Sequence, residues 1–267
     1  MSEEPRAGYV YAVARPFDPA PLAGLEGVGG YPVHTVVVAD LAAVVSTVPL
    51  HEFDEEALKA NLEDLRWLEG VARAHNAVID AVAQHAVVAP LRLATVYHGD
   101  DRVREVLREG HDTFDAALRR LTGRLEFGVK VYADPSTRGT APADAPAAPA
   151  APGESPGKAY LRRRREQRDR RDDTWRTAAD LCDRVDAALC EFADAREQHR
   201  PQDASLSGAA GENVLNAAYL VPAEHADSFL RAAERLRADA PEGTRVEVSG
   251  PWAPYSFASI DAGEVPA

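Results

Sequence analysis

The sequence predicts an α+β protein of two domains, the second a small sandwich resembling a ferredoxin-like module, with long amphipathic helices. Three observations predict it. Runs rich in β-branched residues alternate with segments whose apolar residues step by three and four. A proline-rich stretch from Asp134 to Gly157 interrupts the chain. Beyond Leu125 the elements run strand, helix, strand, helix, strand as far as Ser249, the pattern of a small layered α+β unit. The expected division is an N-terminal domain over 1–122, a C-terminal domain over 123–252 interrupted by a Pro/Ala-rich linker at 134–157, and a tail over 253–267.

Each element has its own warrant. Tyr9–Arg15 and Val33–Ala39 are strand-like, and Leu41–Val48 is a third strand that a turn at Ala39-Asp40 makes into a hairpin with the second. Glu55–Ala86 reads as a helix because Leu58, Leu62, Leu65, Leu68, Ala72, His75, Ile79, Val82 and Ala86 gather on one face. Gly70 lies inside it, and a mid-helix glycine costs about 1 kcal/mol against alanine, so a break there stays open. Val87–Tyr97 is a strand whose Pro90 assigns it to a sheet edge or a bulge. Asp100 and Asp101 open a helix with the stripe Val103, Leu107, Phe114, Leu118 and Leu121, their carboxylates suiting its positive dipole end. Leu125–Ala133 alternates into a strand. After the linker a helix from about Lys158 to Arg200 has the seam Trp175, Ala178, Cys182, Val185, Leu189, Phe192 and Arg196. Asn213–Val221 and Arg245–Ser249 are strands that flank a helix over Ala223–Ala240.

Composition narrows the functions. With 45% apolar and 27% charged residues among 267, the chain can build a sizeable core, which excludes disorder as its main state. A formal net charge of −13 argues against a surface that grips nucleic acid or anionic lipid throughout. Two cysteines make no disulfide framework and fit a reducing compartment. Neither the N-terminal residues nor any later run supplies the roughly 20 apolar residues of a membrane span, so the expected address is the cytoplasm.

Tests for chemistry come out mostly negative. The cluster Gly24-Leu25-Glu26-Gly27-Val28-Gly29-Gly30 lacks the Lys-Ser/Thr of a phosphate loop and leads into a strand, so it reads as a turn. Cys182 and Cys190, eight apart on one helix, stand roughly 12 Å apart at 1.5 Å per residue, too far for a disulfide. Cys182 on the seam reads as a buried structural thiol. The eight histidines form no paired ligand spacing. His75, on the apolar stripe, reads as a core histidine with a satisfied ring nitrogen rather than a base. There is no nucleophile elbow and no recognisable cysteine–histidine setting. No catalytic residue, metal ligand or cofactor is assigned.

Two segments keep chemical character. From Lys158 to Asp173, eight cations face four carboxylates, a net charge of +4 that leaves −17 for the rest of the chain. Arg162, Arg163, Arg164 and Arg165 head this run. It could hold phosphates or an acidic protein surface, or be a solvated helix laced by Arg162–Glu166, Arg165–Asp169 and Arg168–Asp172 pairs. The other segment is Gly250-Pro251-Trp252-Ala253-Pro254-Tyr255-Ser256-Phe257, in which prolines stiffen a chain carrying Trp252, Tyr255 and Phe257. It either packs back on its sheet or presents an aromatic anchor to a partner.

Several of these stretches, in their order along the chain, resemble the gas vesicle protein GvpL/GvpF family. They are Tyr9-Val10-Tyr11, Leu41-Ala42-Ala43-Val44-Val45-Ser46, Pro90-Leu91-Arg92 before Thr95, Glu126-Phe127-Gly128-Val129-Lys130-Val131, Gly157-Lys158-Ala159-Tyr160-Leu161, Asn213 to Val221, and the terminal Gly-Pro-Trp-x-Pro-Tyr-Ser-Phe. Ala253 stands in that last motif where the family usually has proline, which loosens the tail slightly. The resemblance covers nearly the whole chain apart from the linker, and does not separate the L from the F branch. It implies a two-domain α+β protein whose C-terminal domain is a modified ferredoxin-like fold. It also implies a non-enzymatic assembly factor or minor structural component of gas vesicles, located at the vesicle and in the cytoplasm. The implied partners are the small hydrophobic major shell protein and other accessory gas vesicle proteins, with no membrane, and self-association stays open. The candidate contact residues are Arg162, Arg163, Arg164, Arg165, Trp252, Tyr255 and Phe257. The alternative is a nucleic-acid-associated protein that uses the arginine-rich helix 158–173.

Overall fold

The computed structural model describes residues 5–53, 57, 59, 61, 63–134, 156–201 and 211–258. It mixes helices with two antiparallel sheets, and the chain divides into two compact units, Met1–Glu126 with Pro251–Ala267, and Phe127–Gly250. Of the expected linker 134–157, residues 135–155 lie outside the described ones, and Pro156 and Gly157 already belong to a helix.

The first unit is built on β1 (Arg6–Ala14), β2 (Val33–Val38), β3 (Leu41–Pro49), β4 (Val88–Pro90) and β5 (Val96–Tyr97), in the order β2-β3-β1-β4 with β5 also on β1. β1 is buried from Ala7 to Ala14, as suits a strand covered on both faces. Its pairing with β3 slips between Val10 and Ala12, a bulge at Tyr11 that brings Ala12 and Ala14 to the same core as Tyr9 and Tyr11, whose ring centroids are 4.9 Å apart. The β2–β3 hairpin turns at Ala39-Asp40 as expected, with Ala39 in the left-handed region at φ 52°. The strand expected over 87–97 is instead two short ones, because Ala94 adopts φ 62° between them. Pro90 ends β4, an edge strand whose outer side needs no donor.

After α1 (Leu50–Phe53), helix α2 spans Leu65–Ala83. Gly70 causes no break. The chain turns at Glu63-Asp64, where Asp64 caps the helix by accepting from the Arg66 and Trp67 amides at 2.9 and 3.4 Å. The buried stripe is Val71, His75, Val78, Ile79 and Val82, while Leu65 is 75% exposed; Leu58 and Leu62 lie outside the described residues. The helix expected from Asp100 is two, α3 (Gly99–Glu109) and α4 (His111–Leu121), hinged at Gly110, where a Cβ would stand 2.8 Å from the Phe114 ring. All five stripe residues are buried. The helices cover both faces: Tyr9 and Tyr11 cluster with α2, and Gly8 faces Val103 of α3.

The second unit runs β6 (Arg124–Ala133), α5 (Pro156–Cys190), β7 (Ala195–Gln198), β8 (Glu212–Pro222), α6 (Ala226–Ala238) and β9 (Thr244–Trp252), with sheet order β7-β8-β6-β9. The helix expected to reach Arg200 ends at Cys190, and β7 follows it, a strand whose Ala-Arg-Glu-Gln sequence suits either state. The buried seam of α5 is Thr174, Ala178, Leu181, Val185 and Leu189. Cys182 is half-buried beside that seam, so the expectation of a buried thiol is corrected by one residue of helix rotation. Phe229 of α6 stacks on Phe127 at 5.0 Å and meets Tyr219 at 5.6 Å, closing the core of this unit.

Candidate functional site

Polar groups in the first core satisfy one another. His75 is 2% exposed. Its Nε2 lies 3.3 Å from the Leu91 carbonyl, which can only accept, so the proton sits there and Nδ1 accepts from the Tyr9 hydroxyl at 3.1 Å. The Tyr9 hydroxyl in turn accepts from the Ala94 amide at 3.1 Å. Burial lowers the His75 pKa to about 4, partly offset by its bond to the Leu91 carbonyl, and pushes the Tyr9 hydroxyl upward. A neutral, closed network of this kind fixes packing. Beside it, Tyr11 donates to Ser46 Oγ at 2.9 Å and accepts from the Val28 amide at 2.9 Å. A Cβ on Gly27 would stand 2.0 Å from the Tyr11 hydroxyl, so the glycine cluster is a turn packed against a tyrosine.

The aromatic tail belongs to the same unit and is stapled to it. Glu126, 7% exposed, accepts from the Ser256 amide at 2.9 Å and from its hydroxyl at 2.7 Å. Tyr255 donates to Asn76 Oδ1 on α2 at 2.8 Å. Phe257 is only 4% exposed, with the Arg120 guanidinium 6.0 Å from its ring centroid. Phe257 is therefore a structural anchor, which corrects its place among the contact residues. Trp252 at 51% and Tyr255 at 36% remain at the surface. Partial burial, with Asp80 and Glu126 nearby, raises the Tyr255 pKa, so its hydroxyl stays protonated as a donor. Sequence reasoning missed Glu126 and Asn76 as the staple. The available signal was a carboxylate within an otherwise apolar strand, a residue that must find donors when buried.

The arginine run occupies the first half of α5. Every described side chain from Gly157 to Asp173 is exposed, and burial begins at Thr174. Arg162 pairs with Glu166 at 3.0 Å, and Arg170 Nε donates to the Glu166 carbonyl at 3.2 Å. The expected Arg165–Asp169 and Arg168–Asp172 pairs are not formed among the described residues. Arg164 and Arg165 are exposed; the side chain of Arg163 lies outside the described ones.

Neither cysteine is an activated thiol. Burial, with Asp183 and Asp186 nearby, pushes Cys182 up to about 11, and Cys190 is raised in the same way. Among the described residues no group of three or more His, Cys, Asp or Glu side chains could hold a metal ion, and no helix is long and apolar enough to cross a membrane.

The model of the gas vesicle synthesis protein GvpL/GvpF family matches residues 7–259. The chain belongs to this family. It is 49% identical to gas vesicle protein L of a Streptomyces species over 255 residues, 96% of this chain and 94% of that protein. To gas vesicle protein F of the same organism it is 29% identical over 263 residues, 93% of this chain and 98% of that protein. In fold it is similar to the crystal structure of GvpF from Anabaena sp., with a TM-score of 0.66 at 19% identity, covering 96% of this chain and 97% of that one. Membership in the GvpL/GvpF family points to a role in gas vesicle formation, in company with other gas vesicle proteins.

Proposed function

We propose that this GvpL/GvpF protein is an assembly factor or minor structural component that binds the major shell protein and other accessory gas vesicle proteins, and that it transforms no molecule. The observation that carries the reading is the stapled tail. Phe257 and the Glu126–Ser256 bonds fix a short segment that leaves Trp252 and Tyr255 at the surface. Pre-ordered aromatics bind at low entropic cost and are favoured anchors in interfaces. A shell subunit with apolar surface needs such cover before it assembles. The exposed arginines Arg162, Arg164 and Arg165 are a second contact element. The C-terminal unit is read as a modified ferredoxin-like module, which its strand, helix, strand, strand, helix, strand succession and β7-β8-β6-β9 order support.

The test replaces Trp252 and Tyr255 by alanine and leaves Phe257 in place. Capture of the shell protein in a pull-down should fall by roughly tenfold or more, as loss of an interface anchor does, while the loss of the Tyr255–Asn76 bond lowers stability by only about 1 kcal/mol and leaves the chain folded. Undiminished capture by the folded variant removes the tail from the contact.

A further inference from the structure

The outward face of α5, opposite its buried seam, carries Arg162, Arg165, Asp169, Arg176, Asp180 and Asp183, all exposed. At about 100° of helix per residue these six fall within about 60° of one another. Their spacings are three, four, seven, four and three, the same from either end. Their charges run plus, plus, minus, plus, minus, minus, and every sign inverts when the order is reversed. Laid antiparallel against itself, such a stripe sets Arg162 opposite Asp183, Arg165 opposite Asp180 and Asp169 opposite Arg176, each twice.

We infer that the outward face of α5 is an interface with a second copy of this chain, paired antiparallel about a two-fold axis between Asp172 and Asp173. The contact runs along about 32 Å of helix, from Arg162 to Asp183 at 1.5 Å per residue.

A second feature supports it. From Lys158 to Arg171 eight cations face two carboxylates, and from Asp172 to Cys190 five carboxylates face two arginines. That polarity opposes the helix macrodipole, which favours anions near the N-terminus and cations near the C-terminus. The charges are not arranged for the isolated helix. In the antiparallel pair each half lies along the oppositely charged half of its partner. A polyanion such as a nucleic acid would meet Asp169, Asp180 and Asp183 on this same face. Near the axis Asp172 approaches the partner's Asp173, but both lie to the side of the stripe, and Arg176 holds Asp173 at 3.1 Å within its own chain. Arg162 keeps Glu166 as well, since a guanidinium has five donors. Arg164 lies off this face.

The test is a charge exchange in the full chain, read as solution mass by sedimentation equilibrium. Arg162→Glu with Arg165→Glu makes one variant, and Asp180→Arg with Asp183→Arg the other. Each alone sets like charges opposite one another and should weaken self-association by roughly tenfold or more. An equimolar mixture restores every pair and should give a one-to-one heterodimer as tight as the wild-type dimer. A wild-type monomer at all concentrations, a dimer indifferent to either variant, or a mixture that stays monomeric overturns the assignment, whether or not the chain binds duplex DNA. The dimer would take Arg162 and Arg165 out of the second contact element and leave it Arg164, but the shell-protein reading is carried by Trp252 and Tyr255, so failure of the dimer leaves it standing and capture through those two residues tests it separately.

Discussion

Helices α2 and α5 arise from the same stepping of apolar residues by three and four, yet they are held in different ways. α2 begins at a side-chain cap and is buried at intervals from Val71 to Val82. α5 has its core contacts only from Thr174 onward and carries an exposed basic half before them. Where a helix is enclosed, substitutions report on folding. Where it leaves its core, the sequence is released from the demands of packing.

The largest effect expected is in the enclosed half of α5. Leu181 is fully buried on the seam. Its replacement by alanine removes buried methyl groups and leaves a cavity, at a cost of about 2–5 kcal/mol. Chemical denaturation should show that loss for Leu181→Ala and almost none for Arg164→Ala, since exposed substitutions stay within about 0.5 kcal/mol. Equal losses would mean that the basic half has a core of its own.

The contrast explains what the sequence revealed of the fold. Periodicity located α2, α5 and α6, and α3 with α4 as one helix, because burying one face imposes it on any enclosed helix. It could not mark their ends. The start of α2 depends on whether Asp64 or a preceding residue caps it, and the end of α5 on whether Ala195–Gln198 pairs with β8. Ala94 in a left-handed conformation, which split a strand, has no side-chain signature at all. Of the tail, the aromatics were legible and their fates were not. Phe257 is buried and Trp252 exposed because Glu126, distant in sequence, fixes Ser256 between them.

The next largest effect is a dependence on pH carried by α2. His75 is the buried titratable group of α2, neutral in the fold with its pKa lowered to about 4 from 6.5. Above 6.5 neither state binds the proton. As pH falls from 6.5 toward 4 the unfolded chain takes it up and the folded one does not, so stability declines with pH. The decline reaches about 3 kcal/mol by pH 4. Urea unfolding of wild type and His75→Gln should diverge in slope over that window, the variant being less stable at pH 7 and less sensitive to acid. Parallel profiles would place the acid sensitivity elsewhere.

The smallest effect concerns how α2 starts. Asp64 Oδ1 accepts from two amides of the first turn. Asp64→Ala leaves those donors to water, at about 1 kcal/mol for a cap of this type. The first turn also carries Trp67, whose ring lies 6.2 Å from Phe53. Fraying should therefore appear locally, as a red-shifted, more quenchable share of the tryptophan emission well below the melting transition. Asp64→Asn, which keeps an acceptor in place, should restore most of the loss. If both variants unfold like the wild type, the start of α2 is held by its packing at Val71 and beyond, and the helix then resembles α5 more closely than its cap suggests.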